Sequence, residues 1–286
     1  MRTPQRSDLT IAAAFFLALS AASGQAPTSG FRIADTGFHQ IEDGPKLPAS
    51  GAFVPGETVF FRAVLAGYST SKDKKVKISY TIEPVDQDQV PLVAPISKTI
   101  DETLSEQDKE WRPLIRHSFL MPPFVFSGTY MVRLSVKDEI SGAQAKTEAS
   151  FNIRGHDPDR SQTVAIRNFS FFRAESDTAP LKIAAFRPGD PLWARFDVTG
   201  YKFGEGNEIH VEYTIAIADA HGNILFRQQD PVVEKSQSFY PKRYVPCVLN
   251  LTIQPNTTPA EYHLKVSVKD LNADHTVEGT YAFRVE

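Results

Sequence analysis

The sequence predicts an all-β protein made of two tandem antiparallel β-sandwiches behind an N-terminal signal peptide. Three observations carry that expectation. Phe53, Pro55, Gly56, Arg62, Gly67 and Tyr68 return as Phe186, Pro188, Gly189, Arg195, Gly200 and Tyr201, always 133 residues on. A self-match at one fixed offset is the signature of a duplicated structural unit. Apolar and polar residues alternate with period two through several short runs in each copy, the pattern of a strand with one buried and one wet face. Nowhere beyond the N-terminal run does a long stretch show a convincing helical period.

At the N-terminus, Arg2 and Arg6 form a basic region. The apolar run Ile11-Ala12-Ala13-Ala14-Phe15-Phe16-Leu17-Ala18-Leu19 follows, and then the small residues Ser20 to Gly24. This is the order of a secretory signal, with cleavage expected after Ala22 or Gly24 and a signal segment of 1–24. The run is too short to span a bilayer comfortably, and no other segment is apolar enough for a membrane helix. The mature chain is therefore expected to carry no transmembrane segment and to be exported, periplasmic or extracellular. No cysteine lies near the cut, so a lipid anchor is not expected.

The first repeat occupies 31–154. Its strand after the Pro55-Gly56 turn points Val59, Phe61, Ala63 and Leu65 inward. The next points Val76, Ile78, Tyr80 and Ile82 inward, and a late strand does so with Tyr130, Val132, Leu134 and Val136. Residues 155–163 include no large apolar side chain and read as a short solvated linker stiffened by Pro158. The second repeat, 164–286, gives the matching inward rows Leu192, Ala194, Phe196, Val198, then Ile209, Val211, Tyr213, Ile215, and Tyr262, Leu264, Val266, Val268. After Leu225 one residue is lost, so that Tyr130 and Phe151 match Tyr262 and Phe283 at an offset of 132. Asp219-Ala220-His221-Gly222-Asn223 suits a hairpin with a left-handed glycine.

One polar and one apolar face per strand is the mark of two antiparallel sheets stacked as a sandwich. About seven strands fit each repeat, and Tyr130 stands at the start of a late strand, as the tyrosine corner of an immunoglobulin-like sandwich does. Phe53-Val54-Pro55-Gly56-Glu57-Thr58-Val59-Phe60-Phe61-Arg62 is similar to the lead-in of a macroglobulin domain to its second strand, and Gly128-x-Tyr130-x-Val132-x-Leu134 and Asp219-x-x-Gly222 fit the same pattern. On these motifs the chain resembles the immunoglobulin-like modules of bacterial envelope proteins, and macroglobulin-type sandwiches in particular. The resemblance covers both repeats in outline. It does not imply protease trapping, because there is no Gly-Cys-Gly-Glu-Gln thioester motif and the chain is far shorter than a complete macroglobulin.

Composition and motifs exclude several chemistries. The formal net charge is −3 over 286 residues, without the basic footprint of a nucleic-acid binder, so no nucleic-acid partner is expected. Cys247 is the sole cysteine; no intrachain disulfide is possible, and its place in the apolar row Val245, Cys247, Leu249, Leu251, Ile253 marks a buried thiol, matched by Ile115 in the first copy. The seven histidines are scattered, with no His-Glu-x-x-His. There is no Gly-x-Ser-x-Gly elbow. His156-Asp157-Pro158-Asp159 has too few oxygen ligands for a calcium site. No cofactor, metal or catalytic residue is expected, and the chain is expected not to be an enzyme.

What remains is surface. Phe60 and Arg62 share an outward face, as do Trp193 and Arg195, and an aromatic two residues from an arginine can stack on it. The segment Phe124-Val125-Phe126, opposite Asn256-Thr257-Thr258 in the second copy, is costly to leave in water. It is expected to dock on the neighbouring repeat or on a partner. The function expected is therefore an exported, non-catalytic binding or structural spacer module. Its partner would be an envelope or extracellular protein, with polysaccharide held on exposed aromatic residues as the alternative.

Overall fold

The computed structural model describes residues 30–286; the signal segment expected at 1–24 lies outside the described residues. The first half holds β1 (Arg32–His39), β2 (Ala52–Phe53), β3 (Thr58–Ala66), β4 (Lys75–Val85), β5 (Ile96–Thr103), β6 (Leu114–Leu120), β7 (Gly128–Asp138) and β8 (Gln144–Ile153). They form two sheets, β1-β3-β6 and β2-β8-β7-β4-β5. The second half repeats the plan with β9 (Ala165–Phe172), β10 (Ala185–Phe186), β11 (Pro191–Thr199), β12 (Ile209–Asp219), β13 (Ile224–Arg227), β14 (Val232–Ser236), β15 (Val245–Thr252), β16 (Ala260–Asp270) and β17 (His275–Val285). Its sheets are β9-β11-β15 and β10-β17-β16-β12-β13, with β14 also on β12. Among the described residues the only helical element is a 3₁₀ turn at Glu205–Asn207.

Each half is an immunoglobulin-like sandwich. The first, second and fifth main strands make one sheet, and the third, fourth, sixth and seventh make the other, with the fourth split into β13 and β14 in the second half. The chain switches sheets through a two-residue strand that runs parallel to the last one, β2 on β8 and β10 on β17, while every other ladder is antiparallel. The alternation read from the sequence is the burial seen. Val59, Phe61, Ala63 and Leu65 are buried, as are Leu192, Ala194, Phe196 and Val198, and Tyr80 alone of its row is half-buried.

The two cores are built alike. Phe38, Phe53 and Phe151 nest with centroids 4.9–6.4 Å apart, and their counterparts Phe171, Phe186 and Phe283 nest at 6.1–6.2 Å. The lost residue is visible in the ladders: Ala63 pairs with Ile115, and Phe196 with Cys247. The loss falls where β5 of the first module gives way to two shorter strands, β13 and β14. Pro231 stands between them and cannot donate to a ladder. Both tyrosine corners are closed, Tyr130 Oη donating to the Phe126 carbonyl and Tyr262 Oη to that of Thr258, each at 2.7 Å. Gly67 and Gly200, at φ 69° and 71°, turn the chain against the Gly30 and Thr163 carbonyls, where any Cβ would collide.

Candidate interaction surfaces

The junction between the modules holds a buried polar network. Asp86 follows β4 and opens a tight hairpin, in which its Oδ1 accepts the amides of Asp88 and Val90 at 2.8 and 2.9 Å. That leaves Oδ2 facing the second module. The connection from β14 to β15 fills it: Tyr240 Oη donates to Asp86 Oδ2 at 2.8 Å, the Arg243 guanidinium pairs with the same oxygen, and Arg243 Nε donates to Tyr240 Oη at 3.0 Å. Tyr240 is 4% exposed and packs within the core of the first module, although it belongs to the second. Burial pushes the Tyr240 phenol up, against the pull of Arg243. For Arg243 burial disfavours the charge, but Tyr240 and Asp86 outweigh it and hold the guanidinium above its ordinary value.

Around this network the predicted apolar loop is packed inside the molecule. Val125 is fully buried in the first core and Phe126 is 8% exposed. Phe124, at φ 58°, meets Tyr244 edge-on at 5.6 Å, and Phe126 stacks on Tyr244 at 6.2 Å. Arg160 lies 4.5 Å over Phe126, and Lys242 5.6 Å from the Phe124 ring. The connecting segment 155–163 is exposed at every residue but Pro158 and Ser161, and it is also tied to the second module. Pro158 is buried, His156 Nε2 meets Asp197 Oδ2 at 2.6 Å, and Thr199 donates to the Asp159 carbonyl at 3.2 Å. The physical reason is that the neighbouring Asp197 is 4% exposed, and a buried carboxylate recruits donors.

The outer residues are placed apart from this junction. Arg195 does not stack on Trp193. Its guanidinium sits 4.2 Å over Phe172 and donates to the carbonyls of Asp177, at 2.7 Å, and Glu175. Phe172 is the cross-strand partner of Trp193, and carbonyls beyond it hold the guanidinium on that side. Trp193 and Phe60 are half-buried. Phe60 and Arg62 line a shallow hollow of about 350 Å³ with Lys98, Arg116 and His117. His117 Nε2 is buried there without a hydrogen-bond partner, and burial, helped by Lys98, holds the imidazole below its ordinary pKa. In the second core burial, with Asp197 and Glu234 adding to it, pushes the Cys247 thiol up to about 12. Among the described residues no three His, Cys, Asp or Glu side chains are gathered as a metal site, and no helix is long and apolar enough to cross a membrane.

Sequence reasoning found Phe124, Val125 and Phe126 but missed Asp86, Tyr240, Arg243 and Tyr244. Asp86 carried a signal, since it returns as Asp219. The other three have no counterpart of their kind in the first copy.

No protein-family model and no curated protein matches the chain. Among solved structures it is similar to the C-terminal domain of the antigen I/II-family protein AspA of Streptococcus pyogenes, at 9% identity and TM-score 0.31 over 89% of this chain and 99% of that one. It is similar at 7% identity and TM-score 0.32, over 89% and 99%, to the C-terminal domain of the Streptococcus agalactiae antigen I/II polypeptide BspA. A family 123 glycoside hydrolase from Clostridium perfringens overlaps 43% of this chain and 27% of its own length, at 12% identity and TM-score 0.30. At such scores no ligand or activity passes from these proteins to this one.

Proposed function

We propose that the chain is an exported, non-catalytic two-module element of the cell envelope or extracellular space, which holds a protein-binding surface at a fixed distance and angle from its base. The observation that carries this reading is the Asp86–Tyr240–Arg243 network, through which one module lends a side chain to the core of the other. Relative domain motion is the default for tandem modules unless their interface is large and apolar; here a buried tyrosine, a charge pair and the Phe124–Phe126 loop all oppose it. In this reading the modules run 31–154 and 164–286, are of the macroglobulin type, and meet an envelope or extracellular protein. The carbohydrate alternative loses support, because Arg195 is drawn to Phe172 and builds no stacked platform with Trp193.

Cell fractionation and small-angle scattering test the proposal together. The mature protein should be recovered outside the cytoplasm and scatter as one rigid particle, and Asp86→Ala with Arg243→Ala should broaden its distance distribution. Recovery from the cytoplasm, or a hydrolase activity abolished by replacing one acidic pair, overturns it.

A further inference from the structure

The second module carries the same socket that the first module uses to hold Tyr240. The hairpin that opens with Asp86 is repeated atom for atom at Asp219, whose Oδ1 accepts the amides of His221 and Asn223, both at 2.9 Å. In the first module Oδ2 of this aspartate takes Tyr240 and Arg243; in the second it takes only the exposed Asn223 amide, at 2.8 Å. The apolar wall is repeated too. Tyr240 shares a buried cluster with Leu92, Val125 and Tyr130. Their counterparts Leu225, Thr257 and Tyr262 line an open groove of about 400 Å³, together with Phe226 and Ile217. The decisive contrast is exposure: Leu92 is 1% exposed, whereas Leu225 is 59% and Phe226 46%. Asp219 does not itself line the groove but is the ladder partner of Tyr262, which does; in the first module the equivalent wall and carboxylate are covered by a tyrosine and an arginine.

We propose that the groove between β13 and β15, with Asp219 at its rim, is a docking site for a loop of another protein that presents a tyrosine and an arginine as Tyr240 and Arg243 do. The ring fills the groove against Leu225 and Tyr262, its hydroxyl donates to Asp219 Oδ2 in place of Asn223, and the guanidinium pairs with the same carboxylate. A second copy of this chain fits less well. Its own Tyr240 and Arg243 are already held by its Asp86, and the stretch of its first module that corresponds to the Tyr240 loop, residues 104–112, has no tyrosine. The inference stands whether or not the chain is catalytic.

The test uses the full chain with Phe226→Cys as a reporter, a site where the first module has Val93; Cys247 is buried and silent. Residues 155–286 are then appended a second time at the C-terminus, which offers the loop at high effective concentration. Alkylation of the thiol at 226 should slow about ten-fold or more on extension. It should return to the two-module rate when the appended copy alone carries Tyr240→Ala and Arg243→Ala. In a second arm, a cyclic peptide of residues 236–246 is added to the two-module reporter and should protect the thiol, whereas the peptide with both alanines should not. Unchanged rates in both arms overturn the proposal. Protection that rises with the concentration of the two-module chain alone assigns the groove to a second copy, and overturns it as well.

Discussion

The Tyr240 hydroxyl, carried by the second module, donates to Asp86 of the first at 2.8 Å inside the core of the first. Removing the acceptor strands the proton of a buried phenol and leaves the Arg243 guanidinium, whose side chain is 18% exposed, with only Tyr240 Oη at 3.0 Å and the exposed Asp88 carboxylate at 3.7 Å. Asp86→Ala should therefore cost about 3–5 kcal/mol, the scale for stranding one partner of a buried charge pair. Tyr240→Phe should cost about 2–3 kcal/mol, since it keeps the ring but removes two hydrogen bonds, one to the Asp86 carboxylate and one from Arg243 Nε. Denaturant unfolding of the two single variants and the double variant checks this, and additive losses would show that the groups are not coupled.

The corner hydroxyls should be equivalent. Tyr130→Phe and Tyr262→Phe each delete one 2.7 Å bond to a carbonyl four residues back, so each is expected to cost about 1 kcal/mol. Burial, with Asp86 adding to it, pushes the Tyr130 phenol to about 12, and burial puts Tyr213 at about 12 as well. A raised folded pKa means that these phenols favour the fold fully below about pH 10, the unfolded value. That contribution drains away as pH rises from there toward about 12. Ultraviolet titration should show these rings ionising only as the alkaline transition begins, and ionisation near pH 10 in the intact fold would contradict the burial.

His117 should work in the opposite pH range. Its folded pKa is lowered by burial and by Lys98, so the folded state resists the proton that the unfolded state accepts. The neutral imidazole is unpenalised above about pH 6.5, and stability falls as pH drops below that value toward the folded pKa. The ring stacks on Phe119 at 6.0 Å and its Nε2 has no partner. His117→Phe should therefore be neutral or stabilising by up to about 1 kcal/mol at pH 7, and should flatten the acid limb of the stability curve. A steeper acid limb in the variant would sink this account.

Cys247 should be inert in the folded chain and dispensable to it. It faces Phe196 across the ladder, as Ile115 faces Ala63, and its thiol is held protonated. Labelling with a thiol reagent should require denaturant. Cys247→Ser, which buries a hydroxyl, should cost about 1–3 kcal/mol, and Cys247→Val less. Rapid labelling under native conditions would mean that the second core opens locally.

What the sequence made legible was whatever depends on near neighbours in the chain. Period-two burial, the Pro55-Gly56 and Pro188-Gly189 turns and the corner at Tyr130 are local patterns, and the duplication supplied each of them twice. The junction was not legible, because Asp86 and Asp219 are identical in sequence and build identical hairpins. Only the tertiary partner of Oδ2 tells them apart, and Tyr240 lies 154 residues from Asp86. The partner of Arg195 was hidden for a related reason. Residue spacing placed it near Trp193, but carbonyls from Glu175 and Asp177, which spacing does not reveal, pulled it over Phe172.

The two short parallel pairings, β2 with β8 and β10 with β17, bear on how the chain carries tension. Each joins a strand near the entrance of its module to the strand by which the chain leaves it. If the chain is stretched from its two ends, such strands are drawn in opposite directions along their own length. Their hydrogen bonds then bear load together instead of breaking one after another as in a peeled hairpin. Each sandwich thus meets a pull on its two ends with a short pairing loaded in shear.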